Sequence, residues 1–293
     1  MFSHRYSLGF LDACIFTFPL RQRSNSLEIF YARADTIGPV SVSHTTKEEA
    51  PMNIAILAAL LSVSAQAASA ATEFSLNAAL TSDYRYRGIS QTRLQPALQG
   101  GADLVHKPSG WYAGAWASTI TWTGDAGGGG KVELDLYGGK RGELAPGIAY
   151  DAGVLTYVYP SNKLGHIAGF ANAHTTEVYG QLGYGVALVK YSHALTNLFG
   201  YVDSQHSGYL DLAANPALGK GLVLNLHAGR QRVAHHGAAS YTDYKIGITK
   251  EFGVASVALA AIGTDAGKAA YASPANGKFL GKRALLLTVG TTF

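Results

Sequence analysis

The chain has 293 residues, 47% of them hydrophobic and only 14% charged, whereas soluble domains average roughly a quarter charged. Its 35 glycines, 17 tyrosines and formal net charge of +4 exclude a disordered polyelectrolyte. They also argue against a helical bundle, because each helical glycine costs roughly 1 kcal/mol relative to alanine. The 23 Lys and Arg residues are scattered rather than gathered in a stripe, which speaks against a nucleic-acid partner.

The first predicted elements are leader segments. Ile54–Val63 is an apolar run of secretory length, and Ala68-Ser69-Ala70 supplies the small residues that a signal peptidase accepts. A signal peptide over 52–70 is expected, cut after Ala70, with Ala65-Gln66-Ala67 as a second choice. Residues 1–51 read as an over-extended gene start or a long leader. The exported chain, 71–293, then holds 18 Lys and Arg against 14 Asp and Glu. Cys14, the sole cysteine, falls in the leader, so no disulfide, cysteine-based zinc site or cysteine nucleophile is expected. No apolar stretch of 18 residues follows residue 72, so no helical span is expected there.

From Phe74 onward the hydrophobic period is two. Val132, Leu134 and Leu136 alternate with Lys131, Glu133, Asp135 and Tyr137. Leu222, Leu224 and Leu226 alternate with Val223, Asn225 and His227, and Ile246 and Ile248 with Lys245 and Gly247. Successive strand side chains point to opposite faces, so each segment has one apolar face and one polar or small face. Turn signals divide the chain into twelve strands near 74–84, 96–106, 111–121, 131–141, 147–158, 175–183, 186–195, 207–214, 221–231, 241–250, 254–263 and 282–293. The face of 147–158 is ambiguous, and Gly183-Tyr184-Gly185 could lie within one longer strand, so ten strands is the main alternative. Connections alternate between short and long, which marks an antiparallel up-and-down transmembrane β-barrel of the outer-membrane type, with both termini on one rim. A soluble secreted sandwich would alternate too, but it need not sort its loops by length.

Two further features agree. Leu285, Leu287, Val289, Thr291 and Phe293 share one face, and Phe293 at the chain end resembles the assembly signal of outer-membrane proteins. Tyr84, Tyr86, Trp111, Tyr112, Trp122, Tyr157, Tyr159, Tyr184 and Phe252 gather at inferred strand ends, as interfacial aromatic girdles do.

Thr81-Ser82-Asp83-Tyr84-Arg85-Tyr86-Arg87-Gly88-Ile89-Ser90-Gln91-Thr92 carries a family resemblance. It is joined by Pro96–Gly101, Trp111–Trp116, Glu133–Gly139, Thr176–Tyr179, Lys190–Ser192, Tyr209–Leu212 and Tyr241–Lys245. Over 74–293 the sequence resembles the TorF family of porin-like proteobacterial proteins. The resemblance implies an outer-membrane barrel, but no transported solute or catalytic residue. Residues 1–51 have no counterpart in it.

If the apolar faces meet lipid, Asp83, Arg85, Arg87, Asp103, Lys131, Glu133, Asp135, Glu177, Lys190, Asp211, Asp243, Lys245 and Lys282 turn inward, six basic groups against seven acidic. Arg or Lys on the lipid face near the midplane costs roughly 2–4 kcal/mol. These charges either line a narrow wet pore or pair and fill the lumen. Arg85 and Arg87, with Tyr84 and Tyr86 pointing outward, could clamp carboxylate or phosphate at a constriction, or pair with Asp83 or Asp103. Gly127-Gly128-Gly129-Gly130-Lys131 lacks the spacing of a phosphate loop and reads as a loop tip. His166, His174, His193, His206, His227, His235 and His236 show no metal-ligand spacing, and only His235-His236 suggests a weak adventitious metal site. Ser192 and His193 point to opposite faces, which leaves Ser192 with His174 as a hydrolase pairing.

The sequence thus predicts an outer-membrane channel for passive diffusion of small hydrophilic solutes, exported with a cleaved signal peptide. No enzyme activity, cofactor or metal is expected. Expected partners are outer-membrane lipid and lipopolysaccharide, the barrel assembly machinery and the solutes, with the oligomeric state open. The alternatives are a closed-lumen structural or adhesive barrel and an outer-membrane lipid hydrolase.

Overall fold

The structure, a computed structural model, describes residues 71–293. Residues 1–70, on which the leader and signal-peptide expectations fall, lie outside the described residues. Twelve long strands form the wall: β1 (Thr72–Thr81), β2 (Ala97–His106), β3 (Trp111–Thr119), β4 (Val132–Ala145), β5 (Ile148–Val158) and β6 (Thr175–Tyr184). They continue as β7 (Ala187–Ala194), β8 (Gly208–Ala214), β9 (Leu222–Arg232), β10 (Tyr241–Phe252), β11 (Ala255–Thr264) and β12 (Ala284–Thr292). Each strand pairs antiparallel with its chain neighbours. β1 also pairs with β12, Ala79 opposite Gly290, and the sheet closes into a barrel. The backbone at the chain end completes the seam, Phe293 N donating to Leu76 O at 2.8 Å. Closure leaves no edge of unpaired N–H and C=O groups, which water could not satisfy inside a bilayer.

The pleat sorts the two faces as the period-two pattern predicts. Leu285, Leu259 and Ile246 are 72%, 54% and 57% exposed on the outside, while Leu286 and Thr288 between the outward residues of β12 are buried. On β5, whose face the sequence leaves ambiguous, Asp151, Leu155 and Tyr157 are buried and Val154 is exposed, so the odd-numbered residues point inward. Gly185-Val186 turns between β6 and β7, keeping them separate strands.

Short turns and both ends of the wall share one rim, where Trp111, Tyr184 and Phe252 stand exposed as an aromatic girdle requires. The other expected girdle residues need correction. Tyr84, Tyr86, Tyr112, Tyr157 and Tyr159 are buried inside the barrel, and Trp122 packs against that interior cluster. Lys131 and Lys282, expected to face inward, lie exposed just outside β4 and β12.

The largest departure follows β1. The strand ends at Thr81, not near residue 84, and the chain leaves the wall. Every residue from Asp83 to Ser90 is buried, including Tyr84 and Tyr86, so their expected outward placement is corrected. Residues Arg85–Tyr86 and Ile89–Ser90 form a small hairpin of their own, Tyr86 opposite Ile89. Its two-residue turn has φ of 45° at Arg87 and 79° at Gly88, the double positive φ of a type I′ turn. Glycine is required at 88 for space as well, since a Cβ there would run into Thr264 Cγ2 and stand 2.8 Å from Asp243 Cβ.

Candidate functional site

The lumen is built in two tiers. In the tier toward the long loops, the hairpin 85–90 is fastened to the wall by charge. The Arg87 guanidinium donates to both Glu177 carboxylate oxygens, Nη1 at 3.0 Å and Nη2 at 2.7 Å, and Nη1 also donates to Gln231 Oε1 at 2.8 Å. Its Cζ lies 4.2 Å from the Tyr209 ring centre and 4.7 Å from that of Tyr86. A two-pronged guanidinium–carboxylate pair of this kind fixes geometry as well as charge. Arg85 serves the hairpin itself. Nε donates to Asp83 at 2.6 Å, while Nη1 donates to the carbonyls of Gly88 at 2.9 Å and Leu280 at 2.8 Å. Asp83 also accepts from the hydroxyls of Ser90 and Thr92, at 2.5 and 3.2 Å.

Aromatic hydroxyls complete this tier. Tyr84 donates to Glu133, and the Tyr86 and Tyr157 hydroxyls stand 2.7 Å apart. Tyr84 packs edge-on against Trp116 with ring centres 5.5 Å apart, and Phe199 packs edge-on against both Tyr86 and Tyr157.

The tier toward the short turns has no inserted segment among the described residues. Its inward groups pair across the wall: Tyr112 donates to Asp151 at 2.6 Å and hydrogen-bonds Tyr179, and Tyr137 donates to Asp103 at 2.6 Å. Lys190 Nζ sits 4.6 Å from the Tyr179 ring centre. Where the hairpin turn meets β8–β10, His227 lies between two carboxylates, Nδ1 2.9 Å from Asp211 and Nε2 2.7 Å from Asp243. Tyr209 also donates to Asp243, at 2.8 Å.

Of the residues expected to line the lumen, Asp83, Arg85, Arg87, Glu133, Asp135, Glu177, Lys190, Asp211 and Asp243 are buried, and Asp103 and Lys245 are half-buried. The structure joins Arg85 to Asp83 but sends Arg87 to Glu177, a partner 90 residues away that alternation cannot reveal. With Lys131 and Lys282 outside, the near balance of signs gives way to acid. The buried groups are seven carboxylates, Asp151 now among them, against Arg85, Arg87 and Lys190. Asp151 was within reach of the sequence once the parity of Leu155 and Tyr157 is fixed; the carboxylate clamp on His227 was not.

Residues 64–293 match the family described as bacterial protein of unknown function (Gcw_chp). The chain belongs to the Gcw_chp family. No curated protein matches its sequence. Among solved structures this Gcw_chp chain is similar to a KdgM porin, at 5% identity and TM-score 0.48 over 75% of this chain and 98% of that one. It is similar also to a NanC porin, at 10% identity and TM-score 0.47 over 75% and 99%. A third is an outer membrane channel from Pseudomonas putida F1, at 11% identity and TM-score 0.41 over 78% and 97%.

The remaining features of this Gcw_chp barrel are structural. Gly128 O accepts from Lys163 N at 2.6 Å, so the glycine run packs onto the neighbouring loop as a turn. His174 Nδ1 accepts from Tyr159 N at 3.0 Å. His193 and His206 face each other at 3.2 Å on the outside of the barrel near the long loops. His235 and His236 each meet a backbone carbonyl, of Asp203 and Val202.

Proposed function

We propose that the chain is a porin-like channel of the bacterial outer membrane, passing small solutes through a lumen narrowed by its own residues 82–96. The observation that carries this reading is the closed wall with lipid-compatible side chains outside and carboxylates, arginines and tyrosines inside. Such a barrel is stable in a bilayer only with that sorting, and its inner charges then act on whatever crosses. The segment that carries the resemblance to the TorF family is the same one that folds inward. The acidic surplus of the interior favours cations. Exposed Phe293, on the lipid face beside β1, suits recognition by the barrel assembly machinery after export.

A second reading has its own support. Arg85 and Arg87 of the upper tier are buried and paired with Asp83 and Glu177, as in a barrel whose lumen is filled. Planar bilayers separate the two. The channel reading expects small stepwise conductances and a reversal potential in a KCl gradient that favours K⁺. Protein that inserts, as judged by protease protection, yet gives no steps supports the filled barrel.

A further inference from the structure

Above the hairpin, under the long loops, lies a cavity of about 460 Å³, within the range of small-molecule sites. Its floor is Tyr86 and Ile89 of the inward segment, so whatever occupies it rests on the constriction itself. Trp122 and Tyr159 pack edge-on along one side, and Tyr241 and Tyr271 along another, each pair with ring centres 5.0 Å apart. Phe170 and Val202, 40% and 46% exposed, stand where the cavity opens to solvent.

Most polar groups of the lining are already spoken for; the exception is the Trp122 indole N–H, which is buried without a hydrogen-bond partner among the described residues and offers a single neutral donor. Ser90 donates to Asp83, and Gln231 Oε1 accepts from Arg87. The Tyr271 hydroxyl donates to Ala239 O at 2.6 Å, and His236 Nε2 meets Val202 O at 2.6 Å. The carboxylate that borders the cavity, Asp125, is taken by Arg93. Burial raises the Tyr201 and Tyr271 hydroxyls above the ordinary phenol range, which keeps both neutral. A charged solute would lose hydration here and gain at most the one neutral donor of Trp122, whereas an apolar ring would meet ring edges and aliphatic carbon on every side.

We propose that this cavity is a binding site for an uncharged, largely apolar ring compound, held on the outer side of the constriction before passage. The proposal rests on the channel reading and adds to it a solute class that this cavity selects, apart from the cations that the charge of the lumen below it favours. Its test is titration of the protein in phospholipid nanodiscs with cinnamyl alcohol, cinnamate and glucose, with empty nanodiscs measured in parallel. The first two probes share a ring and differ in charge; the third is a neutral but polar ring. Saturable binding of the alcohol at least tenfold tighter than of either other probe is expected. Ala270→Trp, which fills the cavity, and Phe170→Asp, which charges its opening, should each weaken it at least tenfold while the barrel keeps its heat-modifiable migration. Cinnamate or glucose binding as tightly as the alcohol, no saturable binding, or variants that bind like the parent would overturn the proposal. The assay needs no conductance. Binding without channel steps therefore defeats the channel reading alone, and steps without binding defeat this one.

Discussion

Along β10, Tyr244, Ile246 and Ile248 are exposed while Asp243, Gly247 and Thr249 between and beside them are buried; from Asp83 to Ser90 every residue is buried. The wall alternates because one side of it meets lipid and the other the lumen. The hairpin has no such sides. Wrapped by the barrel, it draws its charge partners from the protein, and its arginines find them in Asp83, Glu177, Gln231 and backbone carbonyls. The wall is therefore held by a repeated pattern of small terms, and the segment by a few pairings that fail singly.

That difference is open to direct attack. The largest effect is expected from Arg87→Ala, which leaves Glu177 buried without its guanidinium. Breaking a buried pair in this way costs about 3–5 kcal/mol, read as a lower guanidinium midpoint for unfolding from vesicles. A loss below about 1 kcal/mol, the range of solvated pairs, would mean that water reaches the pair and that the hairpin is not packed as described. Leu259→Arg attacks the wall instead. Leu259 sits mid-strand on the lipid face opposite Leu287, where the substitution costs about 2–4 kcal/mol. If it costs nothing in the same assay, this face does not meet hydrocarbon. The smallest expected effect is that of Gly88→Ala, about 1–2 kcal/mol for a left-handed alanine, but the added methyl also pushes the turn off Thr264 and Asp243. Its signature is a conductance shift larger than its stability loss implies.

How much of this was legible follows from the same contrast. All twelve strands exist where alternation and turn residues put them, with ends shifted by a few residues and β1 stopping early at Thr81, because β4 and β10 repeat their signal over many residues and a one-residue slip would turn every charge to lipid. β5 was ambiguous because Ala149, Gly153 and Ala152 are small on both faces, so little distinguishes in from out until Leu155 and Tyr157 are read together. The inward segment was not legible as such. Tyr84-Arg85-Tyr86-Arg87 alternates as a strand would, and nothing local says that the strand stops at Thr81. Arg85 and Arg87 are buried not because a strand face turns them inward but because the whole segment leaves the wall. Tyrosines defeated the girdle argument likewise, since Tyr112, Tyr157 and Tyr159 suit an interior with carboxylates to bond as well as they suit an interface. The sequence also leaves open which of the acids in the lumen receive an arginine, since Glu177 reaches Arg87 through the closed wall.

Thr81 and Ala97 are already partners in the β1–β2 ladder, so a short turn can join them without the intervening segment. Replacing Asp83–Gln95 by Gly-Ser-Gly and measuring single-channel conductance in planar bilayers is accordingly the most direct trial of the account. A barrel of unchanged heat-modifiable migration with conductance raised severalfold is the predicted result. Conductance equal to that of the intact chain would contradict it, because the lumen would then owe its width to something other than the hairpin.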